Sequence, residues 1–259
     1  MKKGRCIGKG RNASVYEWGK HEVLKLFNEG FTMGREAENC RIINNLGIPS
    51  PEVVGTLKVD GCEAIIYERI DGITMTGSIE NNRDSLAKHS RILAELHVMI
   101  NSFKVNYPPN LVQELTSRIS CIGSLNTKIK CEINEELGKL PEGNEICHYD
   151  FHTDNIIMSP RGPVVIDWAN VLVGNSLADA ARTSIIIGSP ALPPGDCPYW
   201  LKDRASRLFF HDEYLHEYLR LRSISKADLE PWIQPIAAER LGEGILEEEH
   251  YLMTLIKKI

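Results

Sequence analysis

The chain has 259 residues, of which 42% are hydrophobic and 25% are charged, a composition typical of globular proteins that excludes a largely disordered chain. Its 30 Lys and Arg residues against 35 Asp and Glu residues give a formal net charge of −5. This balance argues against a nucleic-acid partner, because phosphate backbones attract basic surfaces, and suits a small or cationic substrate better.

The first part of the chain is predicted to be rich in strands. Short runs of β-branched and aromatic residues, broken by Gly and Asn, predict strands at 5–10, 13–19 and 21–27. Residues 31–47 have helical periodicity and end at a glycine with two prolines beyond it, as helices commonly do. The runs 52–61 and 62–70 predict a hairpin around an Asp-Gly pair, which is a favoured two-residue turn.

The remainder of the chain is predicted to be mainly helical. Residues 82–103 predict a long amphipathic helix and 110–121 a second one, whereas two short apolar segments interrupt this pattern within 146–167. From residue 177 the helical pattern returns, apart from a proline-rich loop at 189–198. The periodicity therefore changes from strand to helix early in the chain.

These elements together predict an α+β fold of two unequal lobes. A small, β-rich N-terminal lobe would span 1–71, and a larger, mainly helical C-terminal lobe would span 72–259. The cleft between two such lobes is the expected place for a site.

A polar cluster in CHYDFHTDNIIM, followed by the aspartate of VVID, carries the functional signal. A zinc site would use His148, His152 and an acid, but it would need convergent geometry and a third or fourth ligand, and the H-x-x-x-H spacing lacks the helical glutamate of zinc proteases. A serine hydrolase would need a G-x-S-x-G turn, which the chain lacks. Phosphoryl transfer needs a carboxylate to deprotonate a hydroxyl and oxygen ligands for Mg²⁺. Asp150 is the predicted base, and Asn155 and Asp167 are the predicted metal ligands.

The pattern H-x-D-x-H-x-x-N, followed by an apolar run and I-D-W, resembles the catalytic and metal segments of the aminoglycoside/choline phosphotransferase family. This family is the small-molecule branch of the protein-kinase-like fold. Its usual run is H-G-D-x-H-x-x-N, so Tyr149 stands where glycine is common. The tyrosine either constrains the loop's backbone or projects a ring into the cleft. Trp168 fits the aromatic residue that usually follows the metal aspartate.

Further segments resemble other parts of the family in the same order. IGKGRNASVY resembles a glycine-rich phosphate loop, in which Gly8, Gly10 and Ser14 would cover the phosphates of the nucleotide. Lys25, ten residues past Val15, resembles the lysine that pairs with the α- and β-phosphates. The other interpretation is an edge residue that reaches outward to solvent.

The resemblance also implies partners for these segments. The lysine needs a carboxylate on the following helix, for which Glu36 is preferred and Glu38 remains open. IIYERIDG resembles the segment that connects the two lobes, where the main chain of Glu68 and Ile70 would contact adenine. A plain strand end followed by a turn fits these residues equally well.

Later segments are predicted to brace the catalytic loop or to face solvent. His97 in LAELH is expected to be a hydrogen-bonded structural histidine, and Asp179 and Arg182 in ADAAR to support the loop. On the charged segment 211–222, Asp212, Glu213 and Glu217 occur with Tyr214 and Tyr218. A solvated helix face is the favoured interpretation, and a lining for an amine-bearing substrate is the alternative.

We therefore expect a phosphotransferase, similar to aminoglycoside phosphotransferases, that uses ATP or GTP and Mg²⁺ on a hydroxyl of a small molecule. Side chains 150, 155 and 167 should converge with Lys25 around one triphosphate. Choline, ethanolamine, sugar and amino-acid kinases remain alternatives, as does a nucleotide-binding regulatory module without turnover. A protein kinase is disfavoured because no long activation segment follows Asp167.

The cysteines and the N-terminal residues indicate the cellular compartment in which the protein is expected. Seven cysteines, with no C-x-x-C pair, predict reduced thiols and a cytoplasmic protein. No signal peptide is visible at the basic start, and the apolar runs are too short to cross a membrane, so no membrane partner is expected. The sequence leaves the acceptor and the oligomeric state open.

Overall fold

The computed structural model describes residues 3–106, 109–193 and 195–257. The chain divides into two compact units, and the predicted base, Asp150, and the predicted metal ligands fall in different ones. The first unit comprises Met1–Met75 and Asp154–Asn170, and the second comprises Thr76–Thr153 and Val171–Ile259. The lobe boundary near residue 71 stays a prediction.

The regular elements of the described residues are ten strands and ten α-helices. The strands are β1 (Cys6–Lys9), β2 (Ala13–Trp18), β3 (Glu22–Phe27), β4 (Val53–Val59), β5 (Cys62–Glu68), β6 (Ile73–Thr74), β7 (Glu145–Cys147), β8 (Ile156–Ser159), β9 (Gly162–Val165) and β10 (Leu172–Gly174). The helices are α1 (Glu36–Asn45), α2 (Met75–Ser78), α3 (Arg83–Asn101), α4 (Leu111–Ser120), α5 (Thr127–Leu137), α6 (Ser176–Gly188), α7 (Tyr199–Lys202), α8 (Arg204–Arg222), α9 (Lys226–Leu241) and α10 (Leu246–Ile256).

The first unit contains a five-stranded antiparallel sheet with strand order β1-β2-β3-β5-β4. The predicted N-terminal strands and the hairpin are therefore confirmed. Val59 pairs with Cys62, and the two turn residues, Asp60 and Gly61, have φ values of 51° and 84°. Both lie in the left-handed region, as the twist of a two-residue hairpin requires.

Helix α1 is shorter than its periodicity predicts. It begins at Glu36 rather than near residue 31, because Gly34 has a φ of +51°, which is incompatible with the right-handed helix. At its end Gly47 adopts a φ of +77°, as the glycine after a helix commonly does. The helix buries the side that carries Glu36, Cys40 and Ile43.

A second sheet of the first unit carries the predicted metal ligands. Its strand order is β6-β8-β9, and β8 and β9 form the hairpin in which Ile156 pairs with Val165. Short 3₁₀ turns at Thr153–Asn155 and Trp168–Asn170 flank this hairpin. Asn155 and Asp167 therefore occur at the two ends of one hairpin, where a pair of short apolar strands holds them.

The second unit is mainly helical. Helix α3 packs along α8, and α6 packs against α8 and α9. The helices predicted at 82–103 and 110–121 are confirmed as α3 and α4. Helix α5 was not predicted, although Asn126 caps it by accepting the N–H of Ile129, a signal that sequence analysis can use.

The strand pair β7–β10 leads into the catalytic segment of the second unit, since Cys147 pairs with Leu172. Residue 194, within the loop predicted at 189–198, lies outside the described residues. Across the described ranges, every helix is too short or too polar to traverse a lipid bilayer.

Candidate active site

Lys25 and Glu36 form an ion pair inside the first unit. Lys25 lies on β3, and its Nζ is 2.8 and 2.9 Å from the two carboxylate oxygens of Glu36, the first residue of α1. The phenol of Tyr67 on β5 donates a further hydrogen bond of 2.8 Å to Glu36. Glu36 is buried, whereas Glu38 is exposed. Of the two glutamates that the sequence offers, Glu36 is therefore the partner.

Asp167, which lies in the second of the two chain segments that form the first unit, contacts the same lysine. Lys25 Nζ donates to Asp167 Oδ1 at 3.0 Å, and 39% of the Asp167 side chain remains exposed. Its φ of +64° lies in the left-handed region, and such strained non-glycine residues are concentrated at functional sites. The N–H of Ile166 donates to the carbonyl of Asn155 at 2.9 Å, so the main chain ties the two predicted metal ligands together.

The charge balance of this cluster keeps the lysine protonated. Burial lowers the pKa of Lys25, but the charges of Asp167 and Glu36 raise it by more, and the net shift is upward. Burial also raises the pKa of Glu36 against the opposing effect of Lys25. The ammonium group therefore opposes the effect of burial on the carboxylate next to it.

The predicted phosphate loop is the turn between β1 and β2. Gly8 pairs with Val15 and Lys9 with Ser14, and neither Gly8 nor Gly10 has a left-handed φ. A Cβ added at Gly8 would lie 3.6 Å from the Cβ of Val15, an ordinary contact. Backbone conformation therefore does not require glycine there, and the N–H of Gly10 donates to the carbonyl of Ala13 at 2.8 Å. Contact with a nucleotide stays a prediction.

The predicted adenine-binding segment begins where β5 ends. Glu68 donates its N–H to the carbonyl of Glu52, and its side chain forms an ion pair of 2.8 Å with Arg161. The N–H of the following Arg69 donates to His21, after which the half-buried Ile70 leaves the sheet. The role of Glu68 and Ile70 in adenine binding stays a prediction.

The predicted catalytic segment, residues 147–153, lies in the second unit, where one aspartate of α6 holds its main chain. Asp179 accepts the N–H groups of His148 and Tyr149, both at 2.8 Å. Asp179 is fully buried, and His97 Nε2 lies 2.9 Å from its Oδ2. The Nδ1 of His97 is in turn 2.8 Å from the hydroxyl of Tyr214. The predicted bracing role of Asp179 and the structural role of His97 are confirmed.

Asp150 follows this braced segment, and two histidines and an arginine act on its carboxylate. Its side chain is 27% exposed, and His152 Nε2 lies 3.7 Å from its Oδ2. Burial would raise the pKa of Asp150, but His152, Arg182 and His148 together lower that pKa well below its usual range. The carboxylate is therefore ionised at neutral pH, the state that a base needs.

The structure shows which of the two roles considered for Tyr149, constraining the backbone of the loop or projecting a ring into the cleft, the residue takes. Its φ is +64°, and its ring is fully buried inside the second unit. The phenol donates to Glu239 on α9 at 3.2 Å. The tyrosine thus constrains the backbone of the loop through a buried side chain. The sequence contains no local signal for this contact, since 90 residues separate the two partners.

The prediction that Arg182 pairs nearby is confirmed, and its partners come from α9 and the turn after it. Its Nη1 donates to Glu239 at 2.7 Å, and its Nη2 forms an ion pair with Glu243. On α8, Tyr214 and Tyr218 are fully buried. Their predicted alternative role as an amine-binding lining is therefore wrong, because both phenols make hydrogen bonds inside the helical core.

The four groups that sequence analysis expected to converge are thus distributed over two units. The first unit brings Lys25, Glu36 and Asp167 within hydrogen-bond distance and ties Asn155 to the same hairpin. Asp150 belongs to the second unit, and its convergence with the other groups stays a prediction.

Three solved structures illustrate the similarity in fold. A thermostable mutant of the aminoglycoside phosphotransferase APH(4)-Ia, a ternary complex with ADP and hygromycin B, is 13% identical, with a TM-score of 0.67 over 97% of this chain and 91% of that one. An aminoglycoside-3′-phosphotransferase of type VIII is 16% identical, with a TM-score of 0.64 over 92% and 93%. A choline/ethanolamine kinase family protein from Mesorhizobium loti is 13% identical, with a TM-score of 0.61 over 100% and 89%.

A comparison with curated protein sequences finds no match. The predicted α+β, protein-kinase-like fold, β-rich at its N-terminus and mainly helical beyond, is nevertheless confirmed by the solved structures. The family model described as APH, the phosphotransferase enzyme family, matches residues 4–218. This range includes both the lysine cluster of the first unit and the catalytic segment of the second, and the chain belongs to the phosphotransferase enzyme family.

Proposed function

We propose that the protein transfers the γ-phosphoryl group of ATP to a hydroxyl group of a small molecule and uses Mg²⁺. The observation that carries this proposal is the position of Lys25, whose Nζ lies 2.8 Å from Glu36 and 3.0 Å from Asp167. A lysine that pairs with a helix glutamate beside a metal-binding aspartate is the arrangement that orients the phosphates in protein kinases.

The groups of the first unit would hold the nucleotide. Lys25 would contact the α- and β-phosphates, Gly8, Gly10 and Ser14 would cover the phosphates with main-chain N–H groups, and Glu68 and Ile70 would contact adenine through their main chain. ADP in the similar aminoglycoside phosphotransferase structure supports ATP over GTP.

Asn155 and Asp167 fit a magnesium ion. One amide and one carboxylate are oxygen ligands, and Mg²⁺ commonly takes only one or two carboxylates and retains several waters. The Asp167 side chain is 39% exposed, so it is accessible from solvent. Bound there, Mg²⁺ would neutralise charge on the phosphates.

Asp150 would act on the acceptor. Its carboxylate accepts the proton of the hydroxyl as the hydroxyl oxygen bonds to the γ-phosphorus, and the bond from that phosphorus to the β–γ bridging oxygen breaks. ADP and the phosphorylated acceptor are the products. Because phosphoryl transfer proceeds through a loose transition state, a base with a lowered pKa suffices to take the proton.

The acceptor is a small molecule that carries a hydroxyl group. The similar solved structures include an aminoglycoside phosphotransferase and a member of the choline/ethanolamine kinase family, which makes aminoglycosides the first acceptors to test and choline and ethanolamine the next. The free state of all seven cysteines supports a reducing compartment such as the cytoplasm.

ADP release with ATP and Mg²⁺ across aminoglycosides, choline, ethanolamine, sugars and amino acids tests the proposal. Asp150→Ala should lower kcat by roughly 10²- to 10⁴-fold because general-base catalysis is lost, while the Kd for ATP changes little. The control is Asp84→Ala, which removes an exposed aspartate in the first turn of α3 and should leave kcat unchanged.

Equal rates in Asp150→Ala and the parent would show that another group is the base. Binding of ATP with Mg²⁺, without phosphorylation of any acceptor, would instead favour the regulatory module.

A further inference from the structure

A buried glutamate of α9 accepts hydrogen bonds from three side chains in different parts of the second unit. Glu239 accepts the phenol of Tyr149 at 3.2 Å, Nη1 of Arg182 on α6 at 2.7 Å, and Nη1 of Arg118 on α4 at 2.9 Å. Two guanidinium groups thus share one carboxylate, and Tyr149 is the member of this network that belongs to the catalytic segment.

The ring of Tyr149, like its hydroxyl, is held by contacts inside the second unit. It is fully buried, and the guanidinium carbon of Arg182 lies 4.5 Å from the ring centroid and that of Arg118 5.8 Å from it. These are distances at which cations and aromatic rings attract each other. Burial and the charge of Glu239 raise the pKa of the phenol well above its usual range, so it stays a neutral hydrogen-bond donor.

The backbone of Tyr149 has an unfavourable conformation, which the contacts of its side chain help to hold. Its φ of +64° is costly for a bulky residue, and glycine would adopt it freely. Asp179 holds the N–H of Tyr149, while Glu239 holds the hydroxyl at the other end of the side chain. The residue immediately before Asp150 is therefore anchored at both ends.

We propose that Tyr149 is a positioning residue, which fixes the orientation of the Asp150 carboxylate through its phenol–Glu239 hydrogen bond and its ring contact with Arg182. This inference rests on the proposed function, in which Asp150 is the base. It assigns to the tyrosine a role that the usual glycine cannot perform, since glycine has no side chain to reach α9.

Tyr149→Phe removes the hydroxyl and keeps the ring against the arginines. Because a buried hydrogen bond to a charged group is lost, kcat should fall by about tenfold, with the KM for ATP unchanged. In the protein without ligands, the amide hydrogens of residues 148–152 should exchange faster by about tenfold. The control is Ile133→Val, which loosens a buried core position of α5 and should change neither quantity.

The two measurements separate this inference from the proposed function. Faster exchange at 148–152 together with a lower kcat supports the positioning role. Unchanged exchange overturns it, whether or not any acceptor is phosphorylated, because the exchange measurement needs no turnover. Faster exchange with an unchanged kcat also overturns it, while phosphorylation that Asp150→Ala abolishes would leave the proposed function intact.

Discussion

At the scale of single residues, burial distinguishes the two candidate partners of Lys25. Glu36 and Glu38 are two positions apart on α1, yet only Glu36 points into the unit and meets Lys25. A buried ion pair is weak evidence for stability, because desolvation offsets the attraction between the charges. Its presence beside Asp167 is better explained by the need to hold an ammonium group in one place.

We therefore predict that Glu36→Gln weakens nucleotide binding. Glutamine keeps the shape and one acceptor oxygen but loses the charge, so Lys25 would be drawn towards Asp167 alone. The Kd for ATP with Mg²⁺, measured by calorimetry, should rise by about tenfold, the usual effect of losing one charge-assisted hydrogen bond.

The matched control is Glu38→Gln, the same substitution at an exposed position of the same helix. It should bind ATP like the parent. Equal affinities in the two variants would contradict the role of Glu36.

At the scale of elements, the first turn of α6 holds the main chain of the predicted catalytic segment. Asp179 accepts two main-chain N–H groups from the segment that follows β7 and lies against His97 of α3. One carboxylate therefore joins a strand end to two helices. Burial would raise the pKa of Asp179, but His97, His148 and the N–H of Tyr149 lower it overall.

Asp179→Asn should lower the free energy of unfolding by about 2–3 kcal/mol at about pH 7, because buried donors lose a charged acceptor. The folded pKa lies below the unfolded value of about 3.9, so the stabilisation is fully present above that value and is lost as the pH falls through the folded pKa. Urea unfolding at several pH values should show the difference between the two proteins shrinking below about pH 4.

Asp228→Asn is the control for this prediction, since Asp228 also lies in the first turn of a helix but caps α9 at an exposed position. It should cost less stability than Asp179→Asn. Equal losses would mean that capping, rather than the hold on the catalytic segment, accounts for the effect.

At the scale of the whole molecule, the seven free thiols differ in their exposure to solvent. Cys121 and Cys131 are exposed, whereas Cys40, Cys147 and Cys197 are buried. Burial raises the pKa of Cys40 to about 12 and that of Cys147 well above its usual range. Because the thiolate is the reactive form, burial suppresses reaction both by exclusion and by protonation.

A disulfide reagent such as dithiobis(nitrobenzoate) should therefore react rapidly with Cys121 and Cys131 in the native protein. The three buried thiols should react only as urea unfolds the chain, which peptide mapping of the labelled protein would establish. Replacing both exposed cysteines by serine should remove their part of the rapid phase and leave only the reaction of the half-buried Cys6 and Cys62. Rapid labelling of Cys147 in the folded protein would contradict the packing of β7 described above.

Much of the fold and of the candidate site follows from the sequence by local rules. The hairpin at Asp60-Gly61, helices α3 and α4, and the polar motif around Asp150 all depend on neighbours within a few residues. Turn geometry, helical periodicity and the spacing of a loop are properties of a short segment, so they can be inferred before any tertiary contact is known. The resemblance of the motif to the phosphotransferases has the same local origin.

Tertiary structure alone decided what each of these residues contacts. It selected Glu36 over Glu38, buried Tyr214 and Tyr218 on a helix that looked solvated, and joined Tyr149 to Glu239 across 90 residues of chain. Which side of a helix is buried, and which distant carboxylate meets a given donor, depends on how the elements pack against one another. Short segments of sequence do not determine that packing, whereas the residue types and spacing of the predicted catalytic motif can be read from the segment itself.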